Sequence, residues 1–267
     1  MRQMQGWPNG LVWYNEDDLR IRDFLIGEIS SRLRSSFRGL NKAIDFIRVE
    51  TPCMVPAGAV EAHLATGFPL WGMSPTSQME TATQEPSPGD SKRHTERLHP
   101  PVPDPNPETA LCLRPETTRG SLMVLPMLFP QQSNLEKNLP VCVWQHGLSF
   151  RVEQDKSFGN LRFKTFYQME FQLVYAEGTK ADYYGSAVRF CREILAFIFP
   201  AIGISVVDLK GSNDLPFYSA ATSDLYLKQS SGNSHEVIAV SQRTDFDYPV
   251  VEISCGLDRL THLFQAI

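Results

Sequence analysis

Hydrophobic and polar positions along the chain change period several times, and each change marks an element. Between Asp17 and Arg38, Leu25, Ile29, Leu33 and Phe37 recur every fourth residue while Arg22, Arg32 and Arg34 fall on other faces, the pattern of an amphipathic helix. Asn15 stands at the position of an N-cap, whose short side chain accepts from the open amides of a first helical turn. Phe46-Ile47-Arg48-Val49-Glu50 reads as a short strand that closes at Thr51-Pro52, because proline has no amide to give to a sheet ladder. Three strand-rich stretches follow, Val141 to Glu153, Arg162 to Tyr175 and Glu236 to Ser254. In the second, Phe166, Gln168, Glu170 and Gln172 alternate with Tyr167, Met169, Phe171 and Leu173, which predicts a strand with one polar and one apolar face. A helix from about Lys180 to Phe199 lies between the second and third, with Ala187, Phe190, Ile194 and Phe197 on its apolar side. Gly256-Leu257-Asp258-Arg259-Leu260 leads into a last short helix. The elements predict an α+β domain, an antiparallel sheet with helices on one side.

Residues 74–110 interrupt this pattern. They carry Pro75, Pro86, Pro88, Pro100, Pro101, Pro103, Pro105 and Pro107 among Ser, Thr, Gln and Glu, with almost no large apolar side chain. Such a stretch buries too little surface to offset the entropy of ordering it, so it reads as a loosely packed or disordered insertion. Neither flank has a complete core alone, and the expectation is a single domain over residues 1–267 that the insertion interrupts.

Composition narrows the function. With 267 residues, 42% of them hydrophobic, the chain can bury one substantial core or at most two small ones. A net charge of -5 denies it the global positive field of a protein that grips nucleic acid mainly through phosphates, so any RNA contact must come from a local basic patch. Cys53, Cys112, Cys142, Cys191 and Cys255 are odd in number, widely spaced and without a CxxC pair, which favours reduced buried thiols over a zinc ribbon or a disulfide framework. The first residues lead into no apolar signal core, and the longest apolar run, Ile194 to Val207, is broken by Pro200 and Gly203 and is too short to span a bilayer. A soluble, cytoplasmic protein is expected.

Candidate chemistry gathers on the predicted hairpin. Arg151 and Glu153, two apart on a strand, share a face, and the returning strand brings Arg162, Phe166 and Glu170 beside them. Guanidinium, aromatic ring and carboxylate together suit a nucleotide, through bidentate phosphate contact, base stacking and amine recognition. A surface hairpin with an Arg–Glu ion pair is the other reading of these residues alone.

Phe150-Arg151-Val152-Glu153, a loop, then Arg162 and Phe166 resemble motif 2 of class II aminoacyl-tRNA synthetases. Glu252-Ile253-Ser254-Cys255-Gly256-Leu257-Asp258-Arg259-Leu260 resembles motif 3, and the amphipathic helix with Arg48 to Pro52 is similar to motif 1. Within the class the glycyl enzymes fit best. Leu113-Arg114-Pro115-Glu116-Thr117 matches an element of theirs without a gap, and Arg243-Thr244-Asp245-Phe246-Asp247 with Glu236 upstream resembles their segment before motif 3. The resemblance implies a class II synthetase-type antiparallel sheet flanked by helices, and a reaction that joins glycine to AMP from ATP and passes it to tRNA. It gives Arg151 the α-phosphate and Arg259 the γ-phosphate of ATP, stacks adenine on Phe166, and adds Arg162, Glu153 and Glu236 to the nucleotide site. Glu116, Glu170, Glu252 and Ser254 match positions around the glycine, with Arg243 beside them. Mg²⁺ would be held chiefly by ATP phosphates with few protein ligands, and Glu236 would help hold Mg²⁺ or the substrate. A homodimer formed through motif 1 is also implied.

The sequence departs from that pattern in places. Gln172 stands where these enzymes carry a second glutamate, and the loop Gln154 to Asn160 has Lys156 but no Pro-Arg pair, which leaves the acceptor open. The chain ends just after motif 3, so no anticodon-binding domain is expected. Two alternatives accompany tRNA charging: transfer of activated glycine to a carrier protein or small molecule, and a non-catalytic binding protein on the synthetase fold.

Overall fold

A computed structural model describes residues 5–6, 11–56, 72–73, 111–151, 161–209, 211, 215–229 and 232–266. Glu153, Lys156 and the proline-rich stretch 74–110 lie outside them. In chain order the strands are β1 (Gln5–Gly6), β2 (Val12–Trp13), β3 (Asp45–Arg48), β4 (Met54–Pro56), β5 (Gly72–Met73), β6 (Leu111–Leu113), β7 (Val141–Phe150), β8 (Thr165–Val174), β9 (Gly203–Asp208), β10 (Ser219–Lys228), β11 (Ser234–Arg243) and β12 (Val250–Gly256). The helices are α1 (Glu16–Leu40), α2 (Thr118–Met123), α3 (Leu125–Leu128), α4 (Gln132–Asn138), α5 (Tyr183–Ile198) and α6 (Leu257–Gln265).

Seven strands form one sheet in the order β3-β7-β8-β12-β11-β10-β9. Its neighbours run antiparallel except β3 and β7, which are parallel. The protein is therefore α+β, with a mostly antiparallel sheet. The stretch expected as one strand region from Glu236 to Ser254 is a hairpin of two strands, β11 and β12, and β9 and β10 extend the sheet beyond what the sequence pattern showed. β7 stops at Phe150, so Arg151 follows the strand instead of lying within it.

The period-two alternation of β8 decides how the sheet is covered. Met169, Phe171 and Leu173 turn to one face and join a core with Leu25, Ile29, Leu33 and Phe37 of α1, Phe190 and Ile194 of α5, and Leu260 of α6. Trp144 of β7 stacks on Phe171 at 5.3 Å, and Phe37 meets Phe190 edge-on at 5.2 Å. At the start of α1, Asn15 and Asp18 form a capping box, and Gln265 at the end of α6 donates to Asp18. The expectation of helices on one side holds only for α1, α5 and α6. Helix α2 lies across the opposite face, where Thr118 bonds Glu170 and Ser121 bonds Gln145. Such a short polar segment has no apolar stripe to announce it; the side chains of β7 and β8 satisfy its hydroxyls.

Among the described residues no helix is long and apolar enough to cross a membrane. The packing of α1 on the sheet yields a stability prediction. Ile29 is fully buried, and Ile29→Ala is expected to cost about 2–5 kcal/mol. Urea denaturation reads this directly, and a loss below about 1 kcal/mol would mean that α1 does not carry the core.

Candidate active site

The polar face of the sheet opens into a cavity of about 300 Å³, at the lower end of the range for small-molecule sites. Strand register gives it a direction. Across β8 and β12, Gln172 pairs with Glu252, Glu170 with Ser254 and Gln168 with Gly256. On the other side of β8, Gln145 pairs with Glu170, Gly147 with Gln168 and Ser149 with Phe166. Gln172 lies six steps along the strand from Phe166, roughly 20 Å. Carboxylates line one end of that path. Phe166, Arg151 after the end of β7 and Arg259 in the first turn of α6 line the other.

At the basic end the Arg151 guanidinium lies 5.0 Å from the centre of the Phe166 ring, and its Nε donates to the Pro115 carbonyl at 3.2 Å. Arg259 donates through Nη1 to the Glu236 carbonyl at 2.8 Å and through Nε to the Leu161 carbonyl at 3.2 Å, and its guanidinium stands 3.8 Å from the Glu236 carboxylate. Leu161 has a φ of 51°, a left-handed conformation that costs a non-glycine residue of order 1–3 kcal/mol. Its buried side chain forms a small cluster with Phe163, against which Val12, Tyr14 and Phe166 pack. Arg162 lines the cavity beside it, exposed. Asp224 of β10 also lines this end, and burial, then the charge of Glu236, pushes its carboxyl up to about 6.

At the acidic end Glu170 makes four hydrogen bonds. The Thr117 and Thr118 hydroxyls lie 2.6 and 2.8 Å from Oε2, and Gln168 and Ser254 donate to Oε1 at 2.7 and 3.1 Å. Burial, reinforced by the charges of Glu252 and Glu116, nevertheless pushes its carboxyl up to about 8. Thr118 also bonds Glu252 at 2.6 Å. Arg243, its side chain wholly buried, lies behind the cavity wall. It bonds Glu252 at 2.7 Å, grips Asp245 with two bonds of 2.9 and 2.8 Å, and stands 3.9 Å from Glu116. Its ring neighbour is Tyr218, 4.2 Å away, which lines the cavity. Burial works to lower the arginine's pKa; Glu252, Asp245 and Glu116 overcome it and raise it.

A second network holds the segment that delivers Glu116 and Thr117. The Arg114 guanidinium crosses β7 at Gly147, where a Cβ would overlap it. It donates to the carbonyls of Leu148 and Thr51 at 2.8 Å each. Gln145 bonds the Thr117 carbonyl at 2.7 Å and the Ser121 hydroxyl at 2.8 Å.

Of the sequence-derived candidates, Arg151, Arg162, Phe166, Glu236 and Arg259 meet Glu116, Glu170, Glu252 and Ser254 on this one cavity. Arg243 supports it from behind, and Glu153 lies outside the described residues. His146 faces the helices, where its Nε2 meets Arg48 at 2.8 Å. Among the described residues no three His, Cys, Asp or Glu side chains are grouped to hold a metal ion. Thr117, Thr118, Tyr218, Asp224 and Asp258 were not singled out from sequence, although Asp258 directly precedes Arg259. It accepts from Tyr14 at 2.6 Å and from the Tyr167 amide at 2.9 Å, which pins the start of α6 to β8. Burial pushes its carboxyl up to about 7.

No family model matches the chain. Over 143 residues, 51% of its length, it is 32% identical to a glycine–tRNA ligase of Bacillus anthracis, of which the match covers 29%. It is 29% identical over 164 residues to the glycine–tRNA ligase of Clostridium beijerinckii, covering 59% of this chain and 33% of that enzyme. The chain thus spans about a third or less of these relatives. These likenesses relate it to the aminoacyl-tRNA synthetases. Its fold is similar to the crystal structure of the RNA binding domain of threonyl-tRNA synthetase from Cryptosporidium parvum Iowa II, with a TM-score of 0.65 over 98% of this chain and 68% of the other. At 12% identity this is a likeness of fold.

Arg243→Met nearly keeps the volume but leaves buried Glu252 without its cation and half-buried Asp245 with Arg119 alone, an expected loss of about 3–5 kcal/mol near neutral pH. In the native protein the Arg243 partnership holds the Asp245 carboxyl below its ordinary value despite burial, so that stability is lost as pH falls. In the variant the carboxyls move up and the folded state takes on protons in acid. The deficit should therefore shrink between pH 7.5 and pH 5 in paired urea titrations. An equal deficit at both would show that Arg243 acts through packing and not through charge.

Proposed function

We propose that this chain activates glycine with ATP and passes the glycyl group to tRNA. The observation that carries the reading is the single cavity with two chemically opposite ends, joined by the register of β8 and β12. A zwitterionic amino acid needs anions at its ammonium and a neighbouring cation at the group its carboxylate attacks. Glu116, Glu170 and Glu252 meet the first need, Arg151 and Arg259 the second. The similarity to glycine–tRNA ligases points the same way.

In this reading the sheet is a class II synthetase core. Phe166 stacks on adenine, with Arg151 on the α-phosphate and Arg259 on the γ-phosphate. One carboxylate oxygen of glycine forms a bond to the α-phosphorus as the bond to pyrophosphate breaks, and the leaving charge falls to the guanidinium groups. Such displacement needs no side-chain nucleophile and depends on positioning and electrostatics. Mg²⁺ bound to the phosphates would neutralise part of that charge; Glu236, beside Arg259, is the carboxylate to assist it, in keeping with a cation that takes few protein ligands. The tight acid-lined end suits glycine because a pocket discriminates only about 1–3 kcal/mol per methylene by contact, so exclusion of larger side chains must be steric. Transfer to tRNA, pairing of two copies through α1 and β3, and a single catalytic domain over the whole chain belong to the same proposal.

ATP–pyrophosphate exchange with single amino acids tests it. Glycine should support exchange, and alanine and serine should not. Arg151→Ala is expected to lower the rate by about 10²–10³-fold with an unchanged circular dichroism spectrum. Exchange at the native rate in that variant would remove Arg151 from the α-phosphate, and silence of the unmodified protein with every amino acid would leave a binding protein on the synthetase fold. Glu170→Ala should raise the KM for glycine more than that for ATP. Charging of bulk tRNA then separates tRNA from another acceptor.

A further inference from the structure

The acidic end of the cavity holds more hydrogen-bonded contacts than its hydroxyl protons can fill. Thr118 Oγ1 stands 2.8 Å from Glu170 Oε2 and 2.6 Å from Glu252 Oε2, and it receives the Gln172 amide at 3.1 Å. A threonine hydroxyl has one proton and two lone pairs. With one lone pair taken by Gln172, the hydroxyl donates to one carboxylate, and the other contact needs a proton from the carboxyl itself. Thr117 does not supply it, because its hydroxyl already donates to the same Oε2 of Glu170 at 2.6 Å. Two ionised carboxylates sharing one hydroxyl proton in a buried site would leave lone pairs in opposition.

The surroundings say which carboxyl carries the extra proton. Glu252 receives Arg243 at 2.7 Å, a charge-assisted bond from a buried cation. Glu170 has no direct cationic partner among the described contacts: its donors are hydroxyls and the amide of Gln168. The groups facing it from each neighbouring element are neutral Gln145 on β7, Glu252 and Ser254 on β12, Glu116 and Arg114 from the segment before α2, and Gln168 and Gln172 on its own strand. Arg243 of β11 is engaged with Glu252 and Asp245, and Arg119 is paired with Asp245 at 3.0 Å. The Cys255 thiol of β12 is buried and held neutral.

We propose that the ligand-free cavity carries one proton on Glu170, donated to Thr118 and relayed by its hydroxyl to Glu252, and that an ammonium-bearing ligand expels this proton to solvent as it binds. The inference rests on the amino-acid reading of this end of the cavity. The ammonium brings its own positive charge and donors, so the carboxyl proton becomes redundant and Glu170 ionises. A carboxyl raised to about 8 agrees with a proton held at neutral pH. Below that point the ligand must displace the proton. Affinity for the amine should then fall about tenfold per pH unit on the acid side and level off above it, until the ligand's own ammonium titrates.

Infrared spectra of the unliganded protein should contain, beside the band of buried Asp258, a protonated-carboxyl component at pH 6–7 that disappears by about pH 9 and is absent in Glu170→Gln. Titration with glycine at pH 7, in two buffers of different ionisation enthalpy, should release about one proton per glycine bound and bleach the band. The glycine titration uses the unmodified protein, and Asp258, bonded to Tyr14 and the Tyr167 amide away from the acidic end, should keep its band when glycine binds, so the component that bleaches decides the matter even if the variant does not fold. Absence of the band at pH 6–7 overturns the proposal. Glycine binding without proton release overturns the expulsion step alone and leaves the amino-acid reading intact. A titrating Glu170 band in a protein that takes up no glycine overturns the expulsion step and that reading together.

Discussion

One buried guanidinium sustains the polar face of the sheet. Arg243 offers its full fork to Asp245 and Glu252 and stands near Glu116, so three carboxylates share one wholly buried cation. Burying such charges is costly, and only close geometry with several hydrogen bonds returns the cost. Arg243 does so from behind the wall, while Glu116, Glu170 and Glu252 line the cavity itself. The hydroxyls of Thr117 and Thr118 bond the same group of carboxylates from the start of α2.

Strand pairing then converts local chemistry into a gradient. Neighbouring strands in register place Glu252 beside Gln172 and Ser254 beside Glu170, while Phe166 lies further along the same face of β8. The basic end is built from chain that has left the sheet: Arg151 after β7, Leu161 before β8 and Arg259 in α6. Its precision comes from backbone carbonyls, with Leu161 held in a left-handed conformation and Glu236 contributing both its carbonyl and its carboxylate near Arg259. The acidic floor thus lies on paired strands, and the mouth is formed where strands end.

The likeness to glycine–tRNA ligases extends over about half of this chain and a smaller part of those enzymes, whereas the likeness of fold to a threonyl-tRNA synthetase domain extends over nearly all of it. Sequence kinship and shared architecture thus have different reach. The chemistry proposed for this cavity rests on the residues that line it, since one sheet architecture can host many activities.

Much of the architecture was legible in the linear pattern because burial imposes periodicity. The four-residue repeat of Leu25, Ile29, Leu33 and Phe37 announced α1, and strict alternation from Phe166 to Leu173 announced which side chains of β8 face the polar side. β9 and β10 escaped notice: Gly203–Asp208 lies at the end of the apolar run that Pro200 and Gly203 break, and Ser219–Lys228 mixes polar residues into both faces. The candidate residues were nameable from local motifs, but their assembly was not. Whether Glu116, 54 residues before Glu170, reaches the same cavity depends on how Arg114 is clamped across Gly147. The role of Thr118 between two carboxylates, the support of Asp258 by Tyr14 from the far end of the chain, and the proton balance of the acidic end arise from distances between separate elements. Hydrophobic periodicity is local and can be read along a chain, whereas the ionisation and hydrogen bonding of a buried group depend on neighbours that only folding brings within 3 Å.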